Sequence, residues 1–154
     1  MSLASKVYRD VASLEAVLEP LRGQGQRIVW TNGCFDILHV GHVTYLNEAG
    51  RLGDVLVVGV NGDASVRAVK GDGRPINGED DRALVLAALA SVDYVLIFPE
   101  TDTVPILERL KPDVYAKGGD YTIDTINQDE RRFVEGYGGD VRVLGGVKGK
   151  STTG

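Results

Sequence analysis

The sequence predicts an α/β domain with a doubly wound, mainly parallel sheet of about five strands. Three observations carry that prediction. Short apolar runs alternate with helical stretches along the chain, the order expected of βαβ units joined by right-handed crossovers. The run Val55-Leu56-Val57-Val58-Gly59-Val60 has no polar alternation, which marks a strand covered on both faces. Segments rich in glycine and charge follow the strands, on the side where ligands of such sheets bind.

Each element follows from local chemistry. Val11, Leu14, Leu18 and Leu21 share one face of a helix capped by Asp10 and ended by Gly23-Gln24-Gly25, so residues 1–25 read as an N-terminal helical extension. Ile28-Val29-Trp30-Thr31 is the first strand, Asn32-Gly33 a turn, and a helix runs from about Gly41 to Leu52 with Gly50 as its weak point. The apolar run after Asp54 is the second strand and completes a βαβ unit. Asp63 to Ala68 looks helical, Asp80 to Ala90 is an Ala/Leu-rich helix, and Tyr94-Val95-Leu96-Ile97-Phe98 is the third strand. Val104 to Leu110 gives a helix and Asp113-Val114-Tyr115-Ala116 the fourth strand. Gln128 to Tyr137 forms a helix closed by Gly138-Gly139, and Val141-Arg142-Val143-Leu144 is the fifth strand. The 154 residues are therefore assigned to one Rossmann-like domain.

Composition narrows the function. With 43% hydrophobic and 25% charged residues the chain matches folded globular proteins, and no apolar run reaches the roughly 18 residues of a membrane span. No apolar leader follows Met1, so a cytoplasmic location is expected. The net charge of −5 argues against a nucleic-acid partner, and positive charge for any anionic ligand must be local. Lys70, Arg74, Arg82, Lys117, Lys148 and Lys150 stand near glycines or turn residues and are the candidates. Cys34, the single cysteine, excludes an internal disulfide and a thiolate metal cluster.

The only two histidines lie three apart in His39-Val40-Gly41-His42, at the start of the helix after the first strand. Imidazoles at that spacing share a helical face, and a helix start supplies unpaired N–H donors and the positive end of the macrodipole. Such a place binds anions. Gly33 and Gly41 allow close backbone approach to a phosphate. Two other readings of the pair remain open at this point: a metal site with Cys34 or Asp36 as a third ligand, and a structural pair bonded to the backbone. A dinucleotide-binding Gly-X-Gly-X-X-Gly is absent after the first strand, and Gly149-Lys150-Ser151 lacks the spacing of a P-loop.

Asn32-Gly33-Cys34-Phe35-Asp36-Ile37-Leu38-His39-Val40-Gly41-His42 resembles the signature of the cytidylyltransferase-like nucleotidyltransferases, whose His-X-Gly-His lies over the nucleotide phosphates. Further segments resemble more specifically the adenylyltransferase domains that make ADP-heptose. They are residues 58–66, Lys70-Gly71, Arg74-Pro75-Ile76-Asn77, Asp81-Arg82-Ala83, Ser91-Val92-Asp93-Tyr94, Lys117-Gly118-Gly119-Asp120-Tyr121 and Ser151-Thr152-Thr153.

The resemblance implies transfer of AMP from ATP to D-glycero-β-D-manno-heptose 1-phosphate, with release of pyrophosphate. His39, His42 and Lys70 are then the catalytic residues. Asn32, Gly33, Cys34, Phe35, Gly41, Arg82, Lys117, Gly118, Ser151 and Thr152 bind nucleotide or phosphate, and Asp36, Asp63 and Asp120 meet substrate, Asp36 alternatively orienting its turn or helping hold Mg²⁺. Mg²⁺ is implied as the companion of the ATP phosphates, held mainly through them with few protein ligands. Arg82 has a second reading, a salt bridge to Glu79, Asp80 or Asp81. Relatives continue through a final helix after Ser151, so that helix is expected to be truncated here, and a separate sugar kinase is expected to supply the substrate. A homodimer is a further expectation; nucleic acid and membrane are not expected partners. Glycerol 3-phosphate cytidylyltransferases and FMN adenylyltransferases share the histidine motif, and a noncatalytic nucleotide-binding module is the reading from another class.

Overall fold

The computed structural model describes residues 2–99, 102–118 and 121–144. A 3₁₀ turn, Leu3–Lys6, precedes β1 (Val7–Tyr8), α1 (Val11–Gly23), β2 (Ile28–Gly33), α2 (Val40–Gly50), β3 (Val55–Asn61), α3 (Asp63–Lys70) and α4 (Glu79–Ala87). Then come β4 (Tyr94–Phe98), α5 (Val104–Leu110), β5 (Val114–Lys117), α6 (Gln128–Gly136) and β6 (Asp140–Val143). The six strands form one sheet in the order β1-β4-β3-β2-β5-β6, and every pairing is parallel.

The sheet has one strand more than the sequence predicts. Val7 and Tyr8 pair with Val95 and Leu96, so part of the expected helical extension is an edge strand. Two residues are too short a run to show a period. Lys6 fixes them in place by donating from Nζ to the carbonyl oxygens of Ala87 and Val92, 3.0 Å each, at the end of α4 and the entry to β4. The next helix starts where Asp10 caps it, accepting from the amides of Ala12 and Ser13.

Alternate strand residues feed two cores, one on each face of the sheet. Val29, Leu56, Val58, Val60, Val95 and Ile97 pack with Leu46 and Ala49 of α2 and with Ala83 and Leu86 of α4. Ile28, Trp30, Val57, Leu96 and Phe98 pack on the other side with Leu14 and Leu18 of α1, Leu107 of α5 and Val134 of α6. This three-layer arrangement explains why β3 is apolar at nearly every position. Its one gap is Gly59, where a Cβ would stand 2.4 Å from the Trp30 ring, so the glycine makes room for the indole.

The strand order reverses between β2 and β5. A crevice forms at such a switch point, outside the carboxyl ends of the strands. Asn32 and Gly33 close β2 at that edge, Asn61 closes β3, and Lys117 closes β5.

Candidate functional site

Beyond β2 the chain turns sharply at Phe35, whose φ of +48° is unusual for a side chain of its size. Burial holds it there. The ring stacks on Tyr45 at 6.5 Å and meets His42 edge-on at 5.6 Å. A Cβ on Gly33 would lie 3.0 Å from this ring, so Gly33 seats Phe35.

His39 then becomes the N-cap of α2. Its Nδ1 accepts from the Gly41 amide at 3.0 Å, while Nδ1 of His42 accepts from the His39 amide at 3.3 Å, a reciprocal box built from two imidazoles. A ring nitrogen that accepts carries no proton, so each neutral ring holds its proton on Nε2. The rings stack with centroids 4.0 Å apart. Among the described residues neither Nε2 has a hydrogen-bond partner, which leaves two donors at the helix start. Burial, then the charges of His39 and Lys70, push the His42 pKa down to about 4, so this ring is neutral at pH 7. Exposed Lys70, the last residue of α3, thus lies within electrostatic reach of His42. A Cβ on Gly41 would come 2.8 Å from His39 Cε1 and push the ring off its cap.

Three of the side chains expected to face ligand bond to the protein. The buried carboxylate of Asp36 accepts from the Ile76 amide at 2.8 Å and the Asn77 amide at 3.0 Å. Arg74 Nε lies 2.8 Å from its Oδ2, close enough for an ion pair though not aligned for a hydrogen bond. Burial works to raise the Asp36 pKa, but the amides of Asn77 and Ile76, with Arg74 and Arg82, outweigh it and hold the pKa below its usual value. Asp36 thus ties the 74–77 loop to the histidine turn.

Arg82, expected to hold phosphate, makes an internal network in this structure. Its side chain is 1% exposed, and Nε donates to Asn77 O at 2.9 Å, Nη1 to Cys34 O and Asn61 O at 2.7 Å each, and Nη2 to Asp63 Oδ1 at 2.8 Å. The acid it pairs is Asp63, through Oδ1. Glu79 and Asp80 pair with Arg9. The reason is position: Arg82 lies on the inward face of α4 with Ala83 and Leu86, whereas Asp80 and Asp81 are exposed.

Lys117 spans the crevice. Its Nζ donates to the carbonyl oxygen and to Oδ1 of Asn32, both at 2.8 Å, and lies 5.5 Å from the centre of the Tyr121 ring. Burial lowers its pKa, against the opposing pull of Glu130 and Cys34. Asn32 therefore holds Lys117 directly, and Gly118 has a packing duty, since a Cβ there would stand 2.4 Å from Tyr45 Cγ. Beneath lies Glu130, 5% exposed, whose Oε1 accepts from Tyr115 Oη at 2.7 Å and from Asn32 Nδ2 at 3.5 Å. Sequence reasoning passed over Glu130. A signal was present: it falls four residues after Ile126 and four before Val134, a carboxylate in the apolar stripe of a helix.

The structure thus brings His39, His42, Gly41, Asn32 and Lys117 to one sheet edge, with Lys70 close by. Asp120, Ser151 and Thr152, with Lys148 and Lys150, lie outside the described residues. Among the described residues no group of three or more His, Cys, Asp or Glu is placed to hold a metal ion, and none of the helices is long and apolar enough to cross a membrane. Two imidazole N–H donors, an ammonium and a helix N-terminus at one sheet edge suit a polyanion such as a phosphate chain.

Comparison with known proteins gives the family and the fold. The Cytidylyltransferase-like family model matches residues 30–144. The bifunctional protein HldE of Alcanivorax borkumensis is 54% identical over 142 residues, which are 92% of this chain and 29% of that protein. HldE of Pseudomonas aeruginosa (strain UCBPP-PA14) is 53% identical over 148 residues, 94% of this chain and 31% of that protein. The chain spans less than a third of the length of these curated relatives. Among solved structures, the lipopolysaccharide core biosynthesis protein from Thermoplasma volcanium superposes with a TM-score of 0.66 at 32% identity, covering 80% of this chain and 98% of that one. Pantoate-beta-alanine ligase from Francisella tularensis, complexed with β,γ-ATP and β-alanine, also gives a TM-score of 0.66, at 16% identity over 90% of this chain and 66% of that one, a likeness of fold.

Proposed function

The chain belongs to the cytidylyltransferase-like family, and on that premise we propose that it is an adenylyltransferase, moving AMP from ATP to D-glycero-β-D-manno-heptose 1-phosphate. The observation that carries the chemistry is the stacked pair of imidazoles at the start of α2, each with its Nε2–H unpaired among the described residues. The sugar assignment rests on the segments at 58–66, 74–77, 81–83 and 117–121 that resemble ADP-heptose-forming domains, and it fits the identity to the HldE proteins.

In this reaction a phosphate oxygen of the sugar attacks the α-phosphorus of ATP in line. A new P–O bond forms, the bond from the α-phosphorus to the bridging oxygen breaks, and pyrophosphate leaves with that electron pair. The nucleophile is already an anion at neutral pH, so the protein has no proton to remove. Its work is positioning and charge stabilisation. His39 and His42 donate through Nε2 to the phosphate oxygens where charge develops, and a neutral His42 does so as a fixed dipole. Lys117 and Lys70 supply positive charge beside them. Asp120, Ser151 and Thr152 keep their expected contacts, to substrate and to the phosphates, within this proposal.

Mg²⁺ belongs to the same proposal as the ion carried by the ATP phosphates. Asp36 and Asp63, the carboxylates beside the histidine turn, are engaged by Arg74 and Arg82, so neither fits as a direct ligand. A cytoplasmic setting, a homodimer, and a sugar kinase acting before this step complete the reading.

Pyrophosphate release tests it, with ATP or CTP paired in turn with heptose 1-phosphate or glycerol 3-phosphate. Release with ATP and heptose 1-phosphate alone is the expected result. Turnover of CTP in place of ATP overturns the base assignment, and nucleotide binding without release from any pair overturns the reading as an enzyme.

A further inference from the structure

We propose that Glu130 is a positioning residue for the anion site: through the Asn32 carboxamide it holds the Lys117 ammonium in the crevice between β2 and β5. The proposal rests on the reading of Lys117 as a phosphate ligand. It starts from an anomaly of burial, because a carboxylate 5% exposed among Ile126, Val134 and Tyr115 is costly unless something in its surroundings needs the charge.

The hydrogen-bond directions supply the need. Glu130 Oε1 accepts and cannot donate, so the Asn32 amide must turn its Nδ2 toward it, at 3.5 Å. That orientation forces Asn32 Oδ1 to the opposite side, where Lys117 Nζ donates to it at 2.8 Å. The Asn32 carbonyl takes a second N–H of the ammonium, also at 2.8 Å. Lys117 has three N–H donors and two are now fixed, which leaves the third for a ligand oxygen in the crevice. With an apolar residue at 130 the amide orientation would rest on Lys117 alone, and Asn32 Nδ2 would lose its acceptor.

Charge works in the same direction. Both direct partners of Lys117 on Asn32 are neutral, and burial disfavours its charged form. Glu130 from α6 and Cys34 from the turn after β2 oppose that, while Tyr121 offers its ring face from beyond β5 and Tyr115 of β5 donates its hydroxyl to Glu130. Glu130 therefore both aims the ammonium and keeps it protonated.

The test is an NMR titration of the Lys117 side chain in the intact protein, wild type against E130Q. Glutamine keeps the shape and removes the charge. The expected result is a lower Lys117 titration midpoint in E130Q, with affinity for inorganic pyrophosphate reduced about tenfold at pH 9 and much less at pH 6.5. An unchanged midpoint, or an affinity loss equal at the two pH values, overturns the proposal and leaves Glu130 a packing residue. Should E130Q fail to fold, E130M, uncharged and suited to the apolar stripe of α6, is read by the same two measurements. If wild-type protein binds no pyrophosphate, the functional reading of the site fails, while the NMR midpoint still decides the link from Glu130 to Lys117.

Discussion

Replacing Arg82 with alanine separates a strut from a phosphate ligand. The guanidinium holds the carbonyls of Asn77, Cys34 and Asn61, three points of the site floor that come from different segments. Truncation leaves those three acceptors without a donor at about 1 kcal/mol each, the low end for part-buried groups that water can reach. The pair with Asp63 adds little, because that carboxylate is 35% exposed and solvent screens it. The expected loss is about 3 kcal/mol, which in a domain of this size lowers Tm by about 6–12 °C. Lysine keeps the charge but not the fork, so R82K should recover only part of the loss. Calorimetric melting of wild type, R82A and R82K measures this. An R82A protein that melts with wild type yet binds ATP weakly would refute the reasoning and restore Arg82 to the phosphates.

H39A and H42A should each lower kcat for pyrophosphate release by about two to three orders of magnitude, the usual effect of removing one preorganised donor; near-normal turnover in both variants removes the histidines from the mechanism. H39A should in addition lose about 1 kcal/mol of stability with the helix cap, read by urea denaturation. Because the folded pKa of His42, about 4, lies below the ordinary 6.5, the unfolded chain binds more protons between those values. Stability should therefore fall as pH drops from about 6.5 toward 4, and a pH series of melting curves should show a shallower slope for H42N. G118A drives a Cβ to 2.4 Å from Tyr45 Cγ and should destabilise the fold by about 1–3 kcal/mol; a neutral result would mean that α2 shifts freely.

What the sequence disclosed follows the range over which each feature is decided. The strand at Tyr94–Phe98 and the helix at Val104–Leu110 have the bounds expected of them, because each is an apolar run closed by its own neighbours. The histidine pair was legible for the same reason: its geometry depends on three residues of one helix turn. Val7–Tyr8 was not, since it is a strand only by pairing with residues almost ninety positions later. Arg82 shows the limit most clearly. Its charge and its place near acidic neighbours suggested either phosphate or Glu79, Asp80 and Asp81. The partners that hold it lie 48, 21 and 19 residues away at Cys34, Asn61 and Asp63, and only the folding of the sheet brings them together. Glu130 meets Asn32 across 98 residues, so no local pattern names its partner.

The box formed by His39 and His42 gives the site an unusual dependency. Each ring is aimed by a main-chain amide of its own helix rather than by a carboxylate behind it. The direction of both donors is thus a property of the first turn of α2, and fraying of that turn and disarming of the site are one event. The Gly41 amide proton, held by His39 Nδ1, is accordingly a natural gauge of readiness. Its exchange with solvent reports the fraction of molecules whose imidazoles have left their stations.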